Sequence, residues 1–390
     1  MNIIRSIIQI AGRECRILLT KNPIYIFCMV LLPIAIVFFM TSLLDAGQPV
    51  DLPVGVVDQD NTATSRALVR KLDSFQASRV VGHFANVNDA RHAMQRGEIY
   101  AFLLIPEGTT AGMVSARQPS VSFYYNGAYM LAGSSTFRDM KTVVTLAGAA
   151  VGSQKLSAIG KTGREIRAFL QPVTIDLHMV GNPWANYNAY LTTTMVPGLL
   201  MLLIFLISAY SIGTELKFGT SHEWMRMADG NPWIAVAGKF LPQTIVFLVI
   251  FLGFEFYIYH VLGFPHPGGV WPVLLLGVTT VLASQGFGIF LFGLAPSLRM
   301  SMTLCSLLAM LGISVAGATF PVDAMDGPIR LLSWIFPLRH YFITYQLNVF
   351  NDFPLTYAWP HWLALVGFIL LPVFVMRNIY RAMLVYKYIP

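Results

Sequence analysis

The sequence predicts an α-helical membrane protein of six transmembrane helices, with an inserted external α/β domain and an N-terminal amphipathic interfacial helix. Three observations carry this reading. Hydrophobic residues make up 55% of the 390-residue chain and charged residues only 12%, where an ordinary soluble domain carries about 25% charged residues. Mean hydropathy is +0.61, and six apolar stretches approach the roughly 20 residues that a helix needs to cross a bilayer. The charge is also unevenly spread: residues 46–186 hold 13 of the 26 Lys+Arg and 10 of the 19 Asp+Glu. That segment is polar enough to fold in water, whereas the rest is not. A soluble globular enzyme, a disordered chain and a fibrous repeat are excluded.

The elements follow in chain order. Residues 1–22 place Ile3, Ile4, Ile7, Ile8, Ile10, Ile17 and Leu18 near helical spacing with Arg5, Arg13 and Arg16 between them, the pattern of a helix lying at a membrane surface on the cytosolic side. The first span, 23–44, is too long for the apolar core of a signal peptide and reads as a retained anchor. Residues 45–189 form the external domain. Its strand candidates are Leu52 to Val57, Arg79 to Phe84, Tyr100 to Ile105, Ser120 to Tyr125 and Val173 to Met179, alternating with helical patterns at Ala63 to Phe75 and Val87 to Arg96. From Ala128 to Leu170 one or two long helices are expected. The second span is 190–212 and is followed by a cytosolic amphipathic segment, 213–231. The third, fourth and fifth spans are 233–259, 270–294 and 300–320. Residues 321–357, framed by Pro321, Pro328 and Pro337, contain an apolar helix too short to cross and read as re-entrant or interfacial. The sixth span is 358–376 and the cytosolic tail 377–390.

Orientation comes from basic residues in the short flanks. Arg5, Arg13, Arg16 and Lys21 precede the first span, and Arg377, Arg381 and Lys387 follow the sixth; both termini are therefore expected in the cytoplasm. An even number of spans agrees. Net charge is +7, which in a soluble protein would suggest nucleic acid; here the basic residues mark the cytosolic flanks and no nucleic-acid partner is expected.

Catalytic signatures are missing from the sequence: there is no Gly-x-Ser-x-Gly, no His-Glu-x-x-His and no dinucleotide fingerprint. Gly160-Lys161-Thr162 imitates the end of a phosphate loop, but the pattern needs Gly at position 155, which is Lys155. The eight histidines lack metal-ligand spacing, and Cys15, Cys28 and Cys305 form no disulfide framework or zinc cluster. Only Lys239 and Glu255 lie within a predicted span. Lys239, near the inner end of the third, is expected to snorkel, and Glu255, near its outer end, to reach water or a polar partner.

Three local features then bear a resemblance: Glu215 with Gly219-Thr220 after the second span, Gly238-Lys239-Phe240-Leu241-Pro242 opening the third, and the stretch from Pro321 to Tyr341 before the sixth. In this order, within a six-span topology, they resemble the membrane subunit of an ABC exporter of the ABC-2 type permease family, in the subgroup with a large external domain between spans one and two. Lys217 departs from the pattern, since many members carry a second acid there. The resemblance implies a permease without its own ATPase site, moving a hydrophobic or amphipathic substrate, drug-like or lipid-like, outward across a cell inner membrane. It implies no cofactor on this chain, with ATP and Mg on a cytosolic ABC ATPase partner. It further implies assembly as a homodimer or as a heterodimer with a paralogous permease. Glu215, Gly219, Thr220 and Glu223 would lie at the ATPase-coupling contact. A substrate path lined by Thr192, Thr193, Thr194, Ser208, Ser301, Thr303, Ser306 and Ser314 competes with plain helix packing as their role. The external domain is open to receiving substrate, gating the exit or binding a periplasmic adaptor.

Two other classes of function stay open on the residues alone. One is a membrane-anchored receptor or scaffold whose external domain binds a ligand or envelope partner without transport. The other is a membrane enzyme acting on lipid through His340 with Asp323 or Asp326.

Overall fold

The computed structural model describes residues 3–386 apart from 116, 175, 177, 179, 180, 183 and 184. The chain divides into two compact units: Ala46–His178, and Met1–Asp45 together with Met179–Pro390.

In the larger unit, α1 (Ile3–Arg16) buries Ser6, Ile10 and Glu14, one stripe at four-residue spacing. A π-helical turn, Ile17–Lys21, leads to Asn22, whose side chain caps α2 (Pro23–Ile26) by accepting from the Ile24 amide. A second π-turn, Phe27–Leu31, joins α2 to α3 (Leu32–Leu43), so that Pro23–Leu43 forms one apolar segment.

The smaller unit is a four-stranded sheet with helices on both faces. β1 (Leu52–Asp58), α4 (Ala63–Asp73), β2 (Ser78–His83), α5 (Val87–Gln95), β3 (Ala101–Ile105), α6 (Thr109–Val114) and β4 (Ser122–Tyr125) follow in order. The strand order is β2-β1-β3-β4, with β4 antiparallel and the others parallel. Alternation along β1 sends Val54 and Val56 to one face and Val57 to the other. The first pair packs with Val69 and Leu72 of α4 and with Met140 and Val143 of α7 (Met130–Ala158), while Val57 and Phe102 pack with Ala90 and Ala93 of α5. Gly160, at φ +83, ends the α7 region, and Thr162 then opens α8 (Gly163–Leu170) with a capping box to Glu165. The strand candidate Val173 to Met179 falls partly outside the described residues, and its described members are not in a strand.

The chain returns through α9 (Tyr187–Lys217), α10 (Ser221–Met227), α11 (Pro232–Phe256) with a π-helical end, Tyr257–Val261, and α12 (Val270–Leu294). Asn231 caps α11 by accepting from the Trp233 amide, and Pro232 occupies the first turn. α13 (Leu298–Ser314) has 17 residues, about 26 Å of helix, and residues 315–320 are turn and bend. The predicted fifth span therefore maps onto a helix shorter than a full crossing. Two short helices, α14 (Gly327–Leu332) and α15 (Pro337–Thr344), the latter prolonged by a π-turn at Tyr345–Phe350, occupy the region predicted to be re-entrant. α16 (Trp359–Leu370) and α17 (Pro372–Val385) continue one another past Leu371, so helix extends well beyond the predicted boundary at Met376; Lys387 lies outside the described residues. Among the described residues, five segments are long and apolar enough to cross a membrane: Pro23–Leu43, Tyr187–Lys217, Pro232–Val261, Val270–Leu294 and Leu355–Val385.

Candidate functional site

Four helices of the larger unit meet at a buried polar node. α9 does not stop at Ile212 as predicted but continues through Lys217, carrying Ser211 and Glu215 four residues apart on one face. α11 contributes Lys239 and Gln243 at the same spacing, and α1 contributes Arg13 and Glu14. The Lys239 ammonium, 1% exposed, donates to Glu14 Oε2 at 2.8 Å and to Glu215 Oε1 at 2.7 Å. Arg13 grips both oxygens of Glu215 in a bidentate pair, at 2.8 and 2.9 Å. Gln243 donates to Glu14 Oε1 and to Ser211 Oγ at 3.1 and 2.7 Å, and Ser211 donates to Glu14 Oε1 at 3.2 Å.

Two acids face two bases here, so the node is electrically neutral, and the donors on Gln243, Ser211 and Thr220 are directed onto its carboxylate oxygens. This pairing of the charges makes the burial tolerable, since a buried charge without a partner costs several kcal/mol; Gln243 Oε1 is buried in the node without a partner. Lys239 therefore does not snorkel: α1 covers it, and its charge is matched inside the protein.

The chain geometry after Glu215 explains the residues that follow. Gly219, at φ +67, lets the helix end in a Schellman turn: the Gly219 amide donates to the Leu216 carbonyl at 3.2 Å and the Thr220 amide to the Glu215 carbonyl at 3.0 Å. The turn brings the Thr220 hydroxyl within 2.5 Å of Glu215 Oε2. It also launches α10, whose Trp224 is fully buried, donates from Nε1 to the Ala235 carbonyl at 3.1 Å, and has the Lys239 ammonium over its ring at 5.3 Å. A 2.7 Å hydrogen bond from Asn22 to the Tyr210 hydroxyl ties the entry of the first apolar segment to α9 nearby.

Of the residues expected at a partner contact, Gly219 and Glu223 are exposed and Thr220 is half-buried, whereas Glu215 is 2% exposed. Glu215 was expected at a surface; the structure turns it inward because α1 lies over it. The exposed side of the turn and α10 presents Phe218, Gly219, His222, Glu223 and Arg226. Between α1, the end of α9 and α10 lies a groove of about 1160 Å³ whose walls include Arg13, Arg16, Lys217, Phe218, Thr220 and Glu223.

The sequence does not single out Glu14, Gln243, Ser211 or Trp224, and it marks Arg13 only as a basic residue flanking the first span. The legible signal was Glu14 itself, an acid on the same stripe as Ser6 and Ile10, a position that a surface-lying helix would give to an apolar residue.

Among the residues proposed for a substrate path, Thr193 and Ser301 donate to carbonyls of their own helices and are buried, as does Thr194 at 3.4 Å. Ser208 is buried against Gly288 of α12, with its hydroxyl unpartnered. Ser306 is exposed on α13 and bonds to the Thr303 carbonyl. The group is not gathered on one surface. His340 is enclosed, its Nε2–H donating to the Trp334 carbonyl at 2.8 Å and its Nδ1 lying 2.9 Å from Nδ1 of His361. Burial holds the His340 imidazole down to about 4. It bonds neither Asp323 nor Asp326, so the acid–base pairing considered from sequence is not assembled.

A family model described as "ABC-2 family transporter protein" matches residues 23–376, which takes in most of the chain, including all of α9 to α16. The chain belongs to the ABC-2 transporter family. It is 24% identical over 197 residues to "Probable multidrug ABC transporter permease YbhR" of Escherichia coli (strain K12), and equally to the protein of that name in Escherichia coli O157:H7; the match covers 48% of this chain and 52% of each relative. The chain spans about half the length of the curated relatives it matches. This ABC-2 family member is a multi-pass membrane protein, and its helical content and small sheet accord with the coarse architecture expected from sequence.

Proposed function

We propose that this ABC-2 family protein is the membrane-spanning permease subunit of an ATP-driven exporter that moves a hydrophobic or amphipathic substrate outward. Hydrolysis takes place on a separate cytosolic ABC ATPase. Both termini face the cytoplasm across a cell inner membrane, Ala46–His178 lies outside, and two copies, or this chain and a paralogue, form the pathway. The observation that carries this reading is the node. A force applied to α10 reaches three further helices only if the joint is stiff, and Trp224, Lys239, Glu14 and Glu215 tie α10, α11, α1 and α9 by buried ion pairs and ring contact. In this mechanism the ATPase touches Phe218, His222, Glu223 and Arg226, and the buried residues behind them transmit the displacement as rigid-body motion of the helices.

The test is purification of the tagged chain from its native host in mild detergent, with a His222→Ala/Glu223→Arg/Arg226→Ala variant beside it. Wild type is expected to bring down an ABC ATPase with measurable ATP hydrolysis. The variant, altered only on an exposed face, is expected to lose both while keeping its thermal midpoint. A stable wild type that retains no ATPase would abandon this reading in favour of a membrane-anchored receptor or scaffold.

A further inference from the structure

The outer half of α11 holds a second buried charge of a different kind. Glu255 is 5% exposed, and among the described residues it makes no hydrogen bond or ion pair; its Oε2 is enclosed without a partner. The other two buried carboxylates of this unit, Glu14 and Glu215, are both ion-paired. The position is built for the group. Gly277 of α12 faces it so closely that a Cβ there would lie 2.7 Å from Oε2 and 3.1 Å from Oε1, so the missing side chain at Gly277 makes room for the carboxylate. The helix changes to π-helical geometry at Tyr257, directly after, a distortion often associated with functional sites.

Beside Glu255 is a cavity of about 130 Å³, walled by Phe256, Tyr259, His260 and His266. The rings are mutually supported: Phe256 and His260 centroids are 4.8 Å apart, Tyr259 and His266 4.7 Å. Around it Phe256, Val270 and Leu274 are exposed apolar side chains. An unpaired carboxylate within a membrane segment is an expensive arrangement, relieved by a proton or by a positive group beside it. A hard metal ion would call for several oxygen ligands, and among the described residues no cluster of three or more His, Cys, Asp or Glu exists to supply them. One carboxylate beside aromatic walls suits a large, weakly hydrated organic cation instead, held by charge and by ring faces.

We propose that this cavity binds the alkylammonium head of an amphipathic cation, with Glu255 as its counter-charge, the rings of Phe256 and Tyr259 as its walls and the alkyl chain lying along Val270 and Leu274. It deepens the permease reading by naming a substrate class, and as a substrate site it rests on that reading. The binding itself does not. The ammonium can belong to a free amphiphile or to a lipid headgroup.

The experiment uses the full chain in maltoside micelles, titrated calorimetrically with hexyltrimethylammonium and, as the uncharged control, with 1-hexanol. Saturable binding of one cation per chain is expected, weakened at least about tenfold by Glu255→Gln, with the weak hexanol signal unchanged. Gly277→Ala keeps the charge but displaces the carboxylate, and is expected to weaken cation binding as well; it also serves if the Gln variant does not fold. Phosphatidylethanolamine or phosphatidylcholine added to the micelles competes if a lipid headgroup is the occupant and fails to compete if the cavity takes free amphiphiles; either result supports the ammonium site. Wild type without saturable binding, or a folded Glu255→Gln that binds the cation as wild type does, overturns the proposal. Since no ATPase is needed, its failure and that of the permease reading are separately visible.

Discussion

Lys239 shows how burial can reverse the meaning of a residue. At the inner end of an apolar segment a lysine ordinarily extends its four-carbon stem to water, and the sequence supports that expectation. In the fold it is closed over by α1 and held by Glu14 and Glu215. Replacing it with Met therefore removes little packing but leaves Glu14 buried without a cation, and Glu215 with Arg13 alone. Lys239→Met is expected to destabilise the protein by about 3–5 kcal/mol, as breakage of buried pairs does. The double variant Lys239→Met/Glu14→Gln is expected to recover most of that loss, because it takes away the stranded charge as well. Thermal unfolding in detergent of the wild type, both single variants and the double closes the cycle. Additive losses would mean that the node is not a coupled unit.

The elements with the clearest sequence signal are those whose partners lie close in the chain. β1, β2 and β3 lie within a residue or two of their predicted bounds, because each alternates or runs apolar between turn residues, and α4 and α5 fall on the helical patterns at Ala63 to Phe75 and Val87 to Arg96. The long α7 and its break before α8 follow from composition and from the Gly160 turn. The node had no comparable signal, since residues 13, 14, 215, 239 and 243 meet only through tertiary contact and each looks ordinary in its own segment. For the same reason the amphipathic pattern that predicts a surface-lying α1 does not show that its Ser6–Ile10–Glu14 stripe packs on protein, while Ile3, Ile4 and Ile8 stay exposed on its other side. Gly238 is the contact: a Cβ there would lie 2.7 Å from Ile10 Cβ and 3.0 Å from the Ile7 carbonyl. Gly238→Leu is accordingly expected to lift α1 from α11 and open the node, while Gly238→Ala does so less. Limited proteolysis of α1, measured beside wild type, reports this as faster cleavage; equal rates in Gly238→Leu would show that α1 is held by something other than this close approach.

At the scale of the whole molecule, the proposed mechanism depends on which side of the membrane each part occupies. It requires α1 and α10 on the cytosolic side, where an ATPase can reach them, and Ala46–His178 on the other. The cysteines provide a direct check. Cys15 is exposed on α1, Cys305 is buried, and Ala46–His178 contains no cysteine. With Cys28 and Cys305 replaced by Ser and Ala, Cys15 is expected to resist a membrane-impermeant maleimide in intact cells and to react in inside-out vesicles. Gln95 is exposed at the end of α5, and Gln95→Cys in a cysteine-free background is expected to give the reverse pattern. Labelling of both positions from the same side would defeat the arrangement even with every contact in the node intact, because α10 would then face away from any source of ATP or the inserted unit would share the cytosol with it. Opposite labelling leaves the groove between α1, α9 and α10 as the surface through which a cytosolic motor acts on the helices.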